Sequence, residues 1–301
     1  MTPRTTVDGN FVLTNNTDQP ITIRVAAPSC TCTTVDIKGK VIPPHGTLEV
    51  PIHMKVPAAP GRKTAQVKVL YEGLDTVSVL NMGGEVAFPV RLTSVDKGNR
   101  TNPYIDAHTD PARTKGAIHA QSIDGTPFTV KSLLGKPPAY VGFDPATDSP
   151  RSEYELLYDF SDSTCESMPR FLLVETDRPD ARLLDMRIRH ECTKIQSKIP
   201  WGEYRINAGV ARAGTAVPAD IQIKRAGTSR AVSVSSGDPA IAVGIANQVG
   251  DGDSVLVELT LAISPTAAVG LHAFPLTMKV ANPQGQSIED SILVYVIVDP
   301  A

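Results

Sequence analysis

Three observations predict an all-β chain built of three tandem immunoglobulin-like β-sandwich domains. Apolar and polar residues alternate with period two, turn residues interrupt these runs at short intervals, and the pattern returns about every 105 residues.

The alternation is clearest in Thr47–Val56, where Leu48, Val50, Ile52, Met54 and Val56 fall on one face. Ala65–Tyr71, Ile221–Lys224 and Val255–Leu261 repeat it. Successive strand residues point to opposite faces, so such a run is a half-buried strand with one wet side. Turn signals separate the runs: Pro43-Pro44-His45-Gly46, Pro60-Gly61, Asp124-Gly125, Gly237-Asp238-Pro239 and Pro283-Gln284-Gly285. No segment of 12 or more residues carries an apolar stripe of helical period, so the strands belong to sandwiches or barrels.

The repeat rests on two sets of markers. Strands beginning near Ile21, Phe128 and Val232 are each followed by a Pro-containing turn and a second short strand, at offsets of 107 and 104 residues. Leu48–Val56, Pro60-Gly61 and Ala65–Tyr71 match Val255–Ile263, Pro265, Gly270 and Phe274–Val280. The expected domains are 1–96, 97–196 and 197–301, with polar junctions at Asp96–Pro103 and Lys194–Pro200. The second and third domains have longer leading segments than the first, so the first is expected to lack its first strand.

Composition excludes some classes. Lys and Arg number 29 against 32 Asp and Glu, a formal charge of -3 over 301 residues. That balance argues against a protein held to nucleic acid by phosphate contacts. The longest apolar run, Ile292–Val298, is strand-length, far short of the ~20 residues of a membrane-spanning helix. The opening MTPRTTVDGN holds no signal peptide. The expected location is periplasmic or extracellular, with the signal peptide outside this sequence; the alternative is cytoplasmic.

Chemistry concentrates at few positions. Cys30 and Cys32 share a side of an extended strand, where two sulfurs suit one soft metal, a labile disulfide or core packing. His45, or else His53, would supply a third metal ligand. Cys165 and Cys192 flank an expected hairpin, Arg170–Thr176 and Leu183–His190, turning at Arg178-Pro179-Asp180. Antiparallel pairing about that turn brings them within disulfide reach. The six histidines show no metal-helix spacing. His190-Glu191-Cys192 lacks an oxyanion donor and an orienting acid, Gly244–Gly252 reads as a hairpin loop, and Asp251-Gly252-Asp253 lacks the twelfth-position Glu of a calcium loop. No catalytic residue and no cofactor is expected.

The first domain carries a recognisable motif set: Phe11-Val12-Leu13-Thr14-Asn15, Ser29-Cys30-Thr31-Cys32-Thr33, and Pro43-Pro44-His45-Gly46 before an alternating strand. Over roughly residues 8–86 it resembles the bacterial domain of unknown function numbered 1573, with Thr31 where that family usually has Gly. The resemblance implies an immunoglobulin-like sandwich related to the major-sperm-protein group, common in exported proteins of Gram-negative bacteria and without an established activity.

The expected role is a non-catalytic exported structural or protein-binding module. Its partner is another protein or a second copy, joined by β-strand addition at the first domain. Two alternatives are a soft-metal or redox module using Cys30 and Cys32, and an accessory domain of a larger cell-envelope complex.

Overall fold

The computed structural model describes residues 6–29, 32–56, 61–96, 99–102, 104–107, 114–194, 196–251 and 253–301. The chain divides into two compact units, Met1–Phe88 and Pro89–Ala301. Both are β throughout, and the fold is immunoglobulin-like.

The first unit contains β1 (Thr6–Thr14), β2 (Ile21–Pro28), β3 (Thr33–Thr34), β4 (Val41–Ile42), β5 (Thr47–Lys55), β6 (Gly61–Tyr71) and β7 (Val77–Val86). They form two sheets, ordered β1-β5-β3 and β4-β2-β6-β7. The alternation in β5 buries Val50, Ile52 and Met54 and exposes the residues between. Val50 and Ile52 meet Ile23, Val67 and Val69 of the other sheet in one core. Burying such a side chain contributes about 1.5–3 kcal/mol, so this core outweighs the propensity of any single strand.

The second unit runs through β8 (Val90–Asp96), β9 (Asn99–Asn102), β10 (Tyr104–Asp106), β11 (Lys115–Ser122), β12 (Val130–Leu133), β13 (Ala139–Tyr140), β14 (Glu153–Asp159), β15 (Phe171–Thr176) and β16 (Leu183–Arg189). A 3₁₀ turn follows at Glu191–Thr193. Then come β17 (Arg205–Arg212), β18 (Ala216–Ile223), β19 (Arg230–Ser236), β20 (Ile241–Asp251), β21 (Ser254–Ile263), β22 (Gly270–Ala281) and β23 (Ser287–Asp299). The first half makes sheets β10-β16-β15-β12 and β13-β14-β11-β8-β9, the second β17-β23-β22-β19 and β18-β21-β20.

The repeat is visible in the topology. β2-β6-β7, β12-β15-β16 and β19-β22-β23 are the same three-strand order, and β1-β5, β11-β14 and β18-β21 are the same pair in the opposing sheet. In the second unit a further strand lies parallel on the last one: β10 on β16, and β17 on β23. Among the described residues β7 has no such neighbour.

Three details differ from the sequence reading. The polar stretch Asp96–Pro103, read as a linker, holds β9 (Asn99–Asn102), which pairs antiparallel with β8, and β8 pairs with β11 from Val90↔Ser122 to Val95↔Ala117. Polar composition marks an edge strand as readily as a linker. The Gly-rich run from Gly244, read as a hairpin loop, is strand to Asp251 and pairs with β21, with a register shift between Ile245 and Asn247. His190, read as the last residue of the hairpin strand Leu183–His190, lies just past β16 and caps the 3₁₀ turn, its Nδ1 accepting from the Cys192 amide.

Among the described residues no helix is long and apolar enough to cross a membrane.

Candidate functional site

The most unusual surface of the first unit is the side where its two sheets end. β1 bounds one sheet and β7 the other, strands of 9 and 10 residues. Both obey period two. β1 turns Phe11 and Leu13 inward and leaves Val12 58% exposed. β7 turns Leu80, Met82 and Val86 inward and leaves Val77 48% and Val79 45% exposed.

Natural sheets protect such edges with Lys, Pro, bulges or short strands. Neither β1 nor β7 contains Lys, Arg or Pro, and neither has a register shift against its partner. By contrast the edge strand β18 carries Pro218, β20 carries the shift at Ile245/Asn247, and β13 is two residues long.

The two edges meet at one point. A Cβ on Gly9 of β1 would lie 2.7 Å from Met82 Sδ of β7, so a larger residue at position 9 would push the Met82 thioether aside. Gly83 holds β7 close to β6: a Cβ there would lie 2.6 Å from the Lys63 carbonyl oxygen. Tyr71 and Ser78 share a hydroxyl hydrogen bond of 2.7 Å at the opposite end of this hairpin.

The motif residues gather behind β1. Asn15 is buried, and its Nδ2 donates to the carbonyls of Gln19 (2.7 Å), Ile42 (3.1 Å) and Pro43 (3.0 Å). Its Oδ1 accepts from the amide and hydroxyl of Thr17. The Asn of the first motif therefore clasps the Pro43–Gly46 turn of the last, and its role is structural. His45 stands in that turn with φ 53°, a left-handed conformation that glycine adopts more cheaply.

The proposed sulfur and histidine ligands are placed as follows. Cys32 is disulfide-bonded, and Cys30 lies outside the described residues. His45 Nε2 is 2.8 Å from Asp18 Oδ1, both on the surface. His53 Nδ1 is 2.6 Å from Asp8 Oδ1, a cross-strand pair in the β1–β5 register on the wet face. Among the described residues no three His, Cys, Asp or Glu side chains are grouped to hold a metal ion.

In the second unit Cys165 and Cys192 are joined by a disulfide, Cα–Cα 4.8 Å, at the open end of the β15–β16 hairpin. The Asp/Arg-rich turn of that hairpin is ordered around Arg178, whose guanidinium donates to Asp124, Asp180 and Ser122. The Arg178 hydrogen bonds hold the Asp124 carboxyl well below its ordinary range, helped by Ser122. All its donors are spent within the fold, so the surface hollow beside Thr126 and Pro179 offers no free guanidinium.

The edge of β7 was not read from the sequence. Its alternating run, Val77–Met82, is cut short by Gly83-Gly84, and nothing in a single strand's pattern says that its neighbour is missing.

With this geometry in hand the family comparison is direct. Residues 1–86 match the family described as protein of unknown function DUF1573. The DUF1573 match thus spans β1–β7, the whole of the two edges and the Asn15 clasp. No curated protein matches the sequence. Solved structures with some likeness include SSP-19, an MSP-domain protein like family member in Caenorhabditis elegans. It has 15% identity and a TM-score of 0.21, covering 28% of this chain and 90% of that one. A protein of unknown function from Porphyromonas gingivalis W83 has 12% identity and a TM-score of 0.24, covering 97% and 91%. A chimeric titin Z1Z2 tandem has 13% identity and a TM-score of 0.21, covering 62% and 90%.

Proposed function

We propose that the protein is a non-catalytic, exported binding module whose first, DUF1573-matched unit takes a partner protein by β-strand addition. One observation carries this reading: the first unit ends in two long sheet edges, β1 and β7, without the lysines, arginines, prolines or register shifts that keep edges unpaired. The second unit, with its two pairs of sheets, is read as two further immunoglobulin-like domains that act as a spacer. An oxidising compartment is supported by the Cys165–Cys192 disulfide and by the absence of free cysteines among the described residues.

The test is photo-crosslinking from single positions in the full chain, in the envelope fraction of a Gram-negative host. A benzophenone side chain at Val12 or Val79 is expected to give an adduct of discrete mass. One at Ile288, exposed on the paired strand β23, is expected to give none. Equal labelling from all three positions, or none from Val12 and Val79, overturns the reading.

A further inference from the structure

Strand β16 alternates between two faces. Leu184, Met186 and Ile188 are buried on one, so Asp185, Arg187 and Arg189 share the other. Asp185 is paired with Arg205. The two arginines that follow it, and Arg170 just before β15, join no ion pair among the described residues.

Arg187 is the floor of this cluster. It stands opposite Phe171 in the β15–β16 register, half-buried, with its guanidinium 5.3 Å over the Phe171 ring. Its Nη1 donates to the carbonyls of Arg170 (2.6 Å) and Ile188 (2.7 Å), and its Nη2 donates to that of Thr193. The first of these bonds ties the Arg170 backbone to the guanidinium. Burial holds the Arg187 pKa below its ordinary value, and the Arg170 and Arg189 charges lower it further.

Arg170 and Arg189 form the exposed sides. The Arg189 guanidinium lies 3.5 Å over the Tyr104 ring, which holds it in place without using any of its N–H groups. Among the described residues neither the Arg170 nor the Arg189 side chain donates a hydrogen bond, so both keep their full set of donors. The nearby carboxylates do not neutralise them. Glu191 pairs with Lys194 and Glu203 lies 3.9 Å from Arg205, while Asp106, opposite Arg189 in the β10–β16 register, makes no ion pair with it. Like charges gathered this way repel one another, and a bound anion removes that repulsion.

We infer that Arg170 and Arg189 bind a doubly charged tetrahedral oxyanion, a phosphate or sulfate group, over the positive floor made by Arg187. The planar guanidinium fork matches the oxygens of such a group two at a time. Two forks above a third fixed charge favour a divalent anion over a monovalent carboxylate. The site lies wholly in the second unit, so it goes beyond strand addition at the first and stands or falls without it.

The test titrates the full chain with inorganic phosphate and, separately, with inorganic sulfate. Sodium chloride keeps the ionic strength constant, and the arginine Nε–H signals are followed by nuclear magnetic resonance. A saturable shift is expected, with half-saturation at about 1 mM. Tighter binding of phosphate assigns a phosphate-bearing ligand, and tighter binding of sulfate a sulfated one. Arg170→Gln with Arg189→Gln is expected to raise the half-saturation point at least about tenfold. Both side chains are exposed, so this variant is expected to unfold in urea at the parent's midpoint, which separates lost binding from lost fold. Arg170→Gln alone, which leaves the Tyr104 stack intact, is expected to weaken binding about threefold and serves if the double change loosens β10. No saturation, an equal response to acetate, or a folded variant that binds as the parent does overturns the inference.

Discussion

Arg205 Nη2 lies 2.8 Å from Asp185 Oδ1, and this pair joins the two halves of the second unit. Tyr295 donates its hydroxyl to the other Asp185 oxygen and accepts from Arg205 Nε at 3.1 Å. The Arg205 guanidinium also stands 5.2 Å over the Phe171 ring. Around this polar triad, Phe171, Leu173 and Leu183 of the first half pack with Tyr295 and Ile297 of the second. Burial pushes the Tyr295 phenol well above its ordinary value, and the Asp185 charge adds to the rise, so tyrosine stays a donor across the whole working pH range.

Removing one member of this triad leaves the others buried without their partner. Asp185→Asn is therefore expected to destabilise the second unit by about 3–5 kcal/mol. The double change Asp185→Leu with Arg205→Met is expected to cost less than either single change. Urea denaturation of the four proteins gives the coupling directly. Additive losses would show that the triad contributes packing and not charge pairing.

Asn15 is the corresponding fixture in the first unit. Asn15→Ala removes the side-chain donor to the carbonyls of Ile42 and Pro43, of which Pro43 keeps the Gly46 amide, an expected loss of about 1–3 kcal/mol. Asn15→Asp is expected to be worse at neutral pH, because a carboxylate would face three carbonyl oxygens. The melting temperatures of the two variants decide the order, and an Asp variant as stable as wild type would remove the clasp from the account.

How much of this was readable beforehand depends on the kind of signal. Strands such as β5, β6 and β21 announce themselves because period two fixes which face is buried. The repeat was legible for the same reason, since equivalent strands need equivalent patterns. Asn15 was visible as a motif letter, but its three carbonyl partners lie up to 28 residues away and only the fold assembles them. Asp185 reads from the sequence as one charge of a solvated hairpin, and Arg205 and Tyr295 carry no signal of their own, because their meeting depends on how two halves dock, over separations of 90 and 110 residues. The open edge of β7 was equally hidden, since a missing neighbour leaves no mark on the strand that lacks it.

The Cys165–Cys192 disulfide closes a loop with a sequence separation of 27. Chain-entropy scaling for a loop of that length gives about 3.5 kcal/mol. Cys165→Ala with Cys192→Ala is expected to lose that amount in urea denaturation. The unfolding of its second unit is also expected to become insensitive to reductant, while the disulfide at Cys32 in the first unit stays reducible in both proteins. A parent protein whose unfolding is unchanged by reductant would show that the bridge stabilises little.

His272 and Asp238 make the clearest pH-dependent contribution. Nδ1 of His272 is 2.7 Å from Asp238 Oδ2, and Nε2 is 2.8 Å from the Ala268 carbonyl. Both ring nitrogens thus face acceptors, which favours the doubly protonated ring. Burial opposes that charge, but the hydrogen bonds to Asp238 and Ala268 and the Asp238 charge outweigh it, and the pKa of His272 is raised from 6.5. Burial likewise opposes the Asp238 charge and is outweighed by the hydrogen bonds from His272 and the Ala240 amide, so its pKa is lowered from 3.8. A raised histidine stabilises fully below its unfolded pKa and loses the benefit as pH climbs through the folded value. A lowered carboxylate stabilises above its unfolded pKa and loses the benefit as pH falls through the folded value. The pair is therefore worth most between about pH 4 and pH 6.5. His272→Gln is expected to lose about 1–2 kcal/mol near pH 5.5 and clearly less near pH 9. Denaturation of both proteins at the two pH values checks the sign. A loss that grows toward pH 9 would mean that the neutral imidazole is the form the fold holds.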